Sequence, residues 1–82
     1  MEQKELKENA EYREPTLTVI LQPEEETRII PRNKAKNVKR LIEFLGLRPY
    51  TALVIRNNIP LTPDVPLYPQ QTIIVRKVMS SG

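Results

Sequence analysis

The chain has 82 residues, with 13 Lys and Arg against 10 Asp and Glu and neither Cys nor His. That length holds one small domain. The missing residue types remove disulfides, zinc sites and iron–sulfur clusters, and with them thiol nucleophiles, imidazole bases and Ser-His-Asp triads. Carboxylates, Lys, Arg and Tyr are what remain, so self-contained catalysis is not expected of a chain this small.

Residues 1–14 alternate Glu with Lys and hold only Met1, Leu6, Ala10 and Tyr12 as apolar side chains. The segment is net negative, which makes the rest of the chain more basic than the total. It reads as an appendage, either a fraying helix or unstructured. It lacks the apolar centre of a signal peptide, and no apolar run approaches the ~20 residues of a membrane span, so the expected location is the cytoplasm.

Residues 16–21 (TLTVIL) are β-branched and alternate at first, which predicts a strand. Pro23 to Glu26 predicts a turn, and residues 27–30 (TRII), closed by Pro31, the second arm of a hairpin. Asn33 then has the character of a helix N-cap. Ala35, Val38, Leu41, Ile42 and Leu45 recur at three- and four-residue spacing, the apolar stripe of an amphipathic helix of about three turns. Gly46 and Leu47 stand where a left-handed residue and a back-packing apolar residue end helices. Residues 50–56 (YTALVIR) predict a third strand. Asn57-Asn58 suits a two-residue turn because Asn tolerates positive φ, and Ile59-Pro60-Leu61 follows as a short edge strand. Residues 62–71, punctuated by Pro63, Pro66 and Pro69, read as a loop, and residues 72–79 as the last strand.

The order β-β-α-β-β-β, with a single helix packed across one face of a mixed sheet, is an α+β arrangement of the β-grasp type. In it the last strand lies centrally, parallel to the first. The expected division is a charged extension over 1–14, the domain over 15–79 and a tail over 80–82.

The stretch from Val38 to Gly46, the run Leu53-Val54-Ile55-Arg56-Asn57-Asn58, the segment from Leu67 to Val75 and the Ser-Gly ending together resemble the ThiS/MoaD-type sulfur-carrier family of ubiquitin-like proteins. Gly46-Leu47 and Asn57-Asn58 match that family's pattern. Residues 69–73 (PQQTI) stand where a Gly-Asp turn is usual, and Ser81 stands at the penultimate position where the family has glycine. The resemblance implies that the Gly82 carboxylate is the reactive group, with Ser80 and Ser81 as its extended arm. A ubiquitin-activating-type enzyme would adenylate it with ATP. A thiocarboxylate then serves thiamine, molybdopterin or tRNA thiolation, or the acyl group passes to a target lysine. The chain itself binds no cofactor and is expected to act as a monomer. The chemical logic is that an acyl-adenylate turns a weak carboxylate into an acyl donor, while a terminal glycine gives the slimness needed to enter a narrow channel.

Partner docking is assigned to Arg76 and Lys77, facing an acidic rim, and to Leu53 and Ile55 on the sheet face away from the helix; the alternation leaves open which of these point outward. Arg32, Lys34, Lys36, Lys39 and Arg40 form a basic segment that either is a solvated helix face or binds RNA phosphates. The aromatic residues are not interleaved with it, which argues against nucleic acid. Glu24, Glu25 and Glu26 read as a solvated turn, not a cation site. Two rival readings remain beside the carrier. One is a β-grasp interaction module that never uses its tail, and the other is a small RNA-binding domain using the basic segment.

Overall fold

A computed structural model describes residues 15–78. Five strands form one mixed sheet: β1 (Thr16–Gln22), β2 (Glu26–Pro31), β3 (Ala52–Arg56), β4 (Ile59–Pro60) and β5 (Thr72–Lys77), in the spatial order β2-β1-β5-β3-β4. One α-helix, α1 (Val38–Phe44), packs on one face, preceded by a 3-10 turn over Arg32–Lys34. The fold is a β-grasp α+β fold, and the last strand is central and parallel to the first, as the sequence predicts.

Alternation decides which side chains enter the core. Leu17, Val19 and Leu21 of β1, Ile30 of β2, Val54 of β3, and Ile73 and Val75 of β5 meet Val38, Leu41 and Ile42 of α1. Ile73 and Val75 are fully buried because β5 has a strand on each side as well as the helix above. The strand turns follow their residues. Asn57 and Asn58 both take positive φ (55° and 66°), the pair of left-handed residues that a two-residue hairpin with matching twist requires.

The helix differs from the sequence expectation at its start. Its N-cap is Asn37, not Asn33, and it runs for 7 residues. The physical reason lies in residues 61–71. Asn37 is extended and its side-chain oxygen accepts from Arg40 N–H at 2.8 Å. The two preceding first-turn donors are taken by loop carbonyls: Val38 N–H reaches Val65 O at 3.0 Å and Lys39 N–H reaches Pro63 O at 3.0 Å. The donors that a helix leaves unsatisfied at its start thus find their acceptors in a tertiary contact, which fixes the start four residues later than the sequence suggests. The C-terminal end is as expected. Gly46 sits at φ 75°. Its N–H donates to Glu43 O at 3.0 Å, and Leu47 N–H donates to Ile42 O at 3.1 Å, the paired bonds of a Schellman ending.

The predicted loop over 62–71 has no strand or helix but is anchored throughout. Leu67 is fully buried in the core. Its N–H donates to Lys36 O at 2.9 Å, Gln70 N–H to Thr16 O at 2.7 Å, and Gln71 O accepts from Thr18 N–H at 3.0 Å. Leu67→Ala is therefore expected to lower the unfolding free energy by ~2–5 kcal/mol, as core truncations do, against about 1 kcal/mol for Asn37→Ala as a lost cap. Urea denaturation measures both, and a Leu67→Ala variant as stable as the parent would remove the anchor role.

Candidate functional site

The predicted working end follows β5. Residues 79–82, including Ser80, Ser81 and Gly82, lie outside the described residues. What can be placed is the platform they leave from. The strand assignment ends at Lys77, and Val78 N–H donates to Thr51 O at 3.0 Å, so the chain is held against the start of β3 until that point. On the other side β5 is in parallel register with β1, Gln22 opposite Arg76.

Arg76 and Lys77 flank this exit, and each is tied to the β1–β2 end of the sheet. Arg76 Nε donates to Gln22 Oε1 at 2.9 Å, and Lys77 Nζ pairs with Glu24 at 2.9 Å. The two contacts differ: Lys77 has its charge matched by a carboxylate, while Arg76, on the open sheet face, is bonded to a neutral amide and pairs with no carboxylate among the described residues. The Lys77 hydrogen bond, Glu24's own backbone hydrogen bond and the Lys77 charge hold the Glu24 carboxyl below its ordinary pKa. The acidic turn is thus engaged by cations, since Glu26 also pairs with Arg28 at 3.0 Å.

The sheet face away from α1 carries an apolar row. Register places Thr27, Ile20, Ile74, Ile55 and Pro60 side by side across all five strands. Of the two contacts expected there, only Leu53 presents surface, at 38% exposure. Ile55 is buried at 8%, lying between Ile74 and Pro60 in the row. Sequence reasoning passed over Ile29, which is 62% exposed and stands opposite Thr18 on the same face. Its signal was present in the alternation of β2, where Ile30 enters the core and its neighbour must face outward.

The basic segment does not stay together. Arg32 is structural: its Nε donates to Leu67 O at 2.7 Å, and its guanidinium lies 5.5 Å from the centroid of the Tyr68 ring. Lys34, Lys36 and Arg40 line a shallow concavity with Asn33. Lys39 points elsewhere, to an apolar groove of about 560 Å³ between α1, the start of β3 and residues 61–63. A five-residue basic surface is therefore reduced to a three-residue one, because the 3-10 turn and the late helix start rotate the side chains onto separate faces.

Among solved structures the chain is similar to the NMR solution structure of a computationally designed protein based on the template of human erythrocytic ubiquitin. The TM-score is 0.62 and the identity 23%, over 83% of this chain and 96% of that one. At this identity the likeness shows a ubiquitin-like fold and nothing further. No protein-family model and no curated protein matches the sequence.

The Glu24–Lys77 pair gives a pH test. Glu24's folded-state pKa lies below its unfolded one, so the pair's stabilising contribution is present above the unfolded value. It is lost as pH falls through the lowered folded value. Lys77→Met is expected to move the Glu24 titration upward, toward the ordinary glutamate range, in carboxyl-detected NMR. An unmoved midpoint would mean that the pair does not form in solution.

Proposed function

We propose that this protein is a ubiquitin-like carrier whose Gly82 carboxylate is the working group. It acts as the substrate of a ubiquitin-activating-type enzyme and is not itself an enzyme. In the first step a carboxylate oxygen attacks the α-phosphorus of ATP, forming an acyl-adenylate and releasing pyrophosphate. In the second, sulfide-level sulfur or a lysine amine attacks the carbonyl carbon and AMP leaves. The product is a thiocarboxylate for sulfur transfer or an isopeptide bond. The chain supplies reach and a docking surface.

The observation that supports this reading is the placement of β5. It is the central strand, its apolar side chains are fully buried, and it is held to Thr51 up to the last described residue, four positions before Gly82. A rigid strand leading to a short tail of small residues is the geometry an acyl carrier needs, because the domain can rest on a partner while the tail extends beyond it. Arg76 stands beside this exit, bonded to the neutral Gln22 amide and, among the described residues, paired with no carboxylate, which suits an acidic rim on the activating enzyme.

A second reading is favoured by the apolar surface of the open sheet face, where Ile29 and Leu53 are exposed. In it the protein is an interaction module that binds through this face and does not use its tail.

Two variants separate the readings. Deleting Gly82 is expected to abolish ATP-dependent modification by the activating enzyme from the protein's own cells, read as a sulfur-for-oxygen mass change or a lysine linkage at the C-terminus. Ser81→Gly is expected to preserve or raise it. Leu53→Arg is expected to weaken partner binding under either reading while leaving the fold intact. If the Gly82 deletion retains every partner interaction and the parent chain stays unmodified with enzyme and ATP, the carrier reading fails and the interaction module stands.

A further inference from the structure

The hairpin of β3 and β4 stops short. β4 pairs with β3 only at Ile55 with Pro60 and Arg56 with Ile59, and Leu61 N–H adds one bond to Val54 O at 2.7 Å. The chain then leaves the sheet edge, because its next carbonyls cap the helix. Pro63 O accepts from Lys39 N–H and Val65 O from Val38 N–H, each at 3.0 Å. Capping α1 thus leaves the first half of β3 without an outer neighbour. Main-chain groups alternate in direction along an antiparallel strand. Val54 O points toward β4, so the N–H and C=O of Ala52 point the same way, while Thr51 O faces inward and accepts from Val78 N–H at 3.0 Å. Among the described residues nothing pairs with Ala52 on its outer side; its ladder partner, Lys77, lies across the inner one.

The gap between this edge and α1 is the groove of about 560 Å³, walled by Val38, Ile42, Tyr50, Ala52, Leu61 and Pro63. Two charged residues stand on its α1 side, one helical turn apart, Lys39 and Glu43. Glu43 is engaged by Arg40 at 3.7 Å, whereas Lys39 pairs with no carboxylate among the described residues.

We propose that this groove takes an extended segment of a partner protein, which adds to β3 as a strand and carries an acidic residue two positions from a large apolar one. The segment runs antiparallel to β3, in line with β4. The apolar residue stands opposite Ala52 and exchanges N–H···O bonds with it. Residues directly opposite in an antiparallel pair share a face, so its side chain enters the groove. A residue two positions along lies ~7 Å further on that face, and a carboxylate there meets Lys39. Open main chain supplies affinity, while the apolar slot and the cation select the sequence. The site uses neither the β5 exit nor the open sheet face, so it stands or falls independently of both functional readings.

The probe is the capped pentapeptide acetyl-Glu-Thr-Leu-Thr-Glu-amide, with an acid on each side of the leucine, titrated into the isotope-labelled full chain. It is expected to shift the methyl signals of Val38, Ile42 and Leu61 and to leave those of Ile29 and Ile74 in place. Hydrogen exchange of the Ala52 amide should slow roughly tenfold at saturation. N-methylation of the leucine nitrogen, which removes the donor to Ala52 O, is expected to weaken binding roughly tenfold or more. Lys39→Glu, an exposed change outside the core, should weaken it roughly three- to tenfold. Absence of binding at millimolar peptide overturns the proposal, as does affinity indifferent to both N-methylation and Lys39→Glu. Octanoate is the control for a small apolar anion. If it displaces the peptide and the Ala52 amide exchanges at an unchanged rate in both complexes, the groove is a small-molecule site and strand addition is refuted.

Discussion

The parallel pairing of β1 with β5 is the constraint on which the rest of the molecule depends. The first and last strands of the domain are neighbours in the sheet, Val19 opposite Ile73 and Leu21 opposite Val75. Everything between them must therefore cross over and return before the sheet can close. The hairpin partner β2 occupies one side of β1, α1 fills the crossover, and β3 waits on the far side of the slot that β5 enters. Such non-local pairing delays its energetic return until the long loop is closed. The return is large, since β5 brings two fully buried apolar side chains into the centre of the core.

The crossover is completed by residues 61–71, which have little regular structure and yet hold several elements at once. Their carbonyls cap α1, the Leu67 side chain fills the core, and Gln70 and Gln71 bond β1 as the chain turns into β5. Arg32 and Arg56 donate into the same segment, Arg32 to Leu67 O at 2.7 Å and Arg56 to Pro66 O at 3.3 Å and Gln71 Oε1 at 3.2 Å. Cations that would read as available for a ligand are here satisfying loop carbonyls, which need partners wherever backbone is withdrawn from water.

The same architecture separates three surfaces. The exit of β5 is a firm base for the C-terminal residues, with Arg76 facing outward and Lys77 neutralised by Glu24. The open sheet face offers apolar area at Ile29 and Leu53. The concavity of Lys34, Lys36 and Arg40 stands apart from both.

The sequence by itself determined the order of the elements along the chain, the hairpin turns and the end of the helix. Each of these follows from local chemistry: alternation in residues 16–21 and 72–77, two asparagines that accept positive φ, and a glycine where the helix must stop. It also determined the available chemistry, through the absence of Cys and His. Only the tertiary structure decided where the helix starts, because Asn33 and Asn37 are equally good caps locally and the choice fell to the carbonyls of Pro63 and Val65, distant in sequence. It alone made Leu67 a core residue within a proline-rich loop, took Arg32 out of the basic surface, and buried Ile55 while leaving Ile29 and Leu53 exposed. These outcomes depend on which segments meet across the sheet and over its faces, and local propensity carries no record of those meetings.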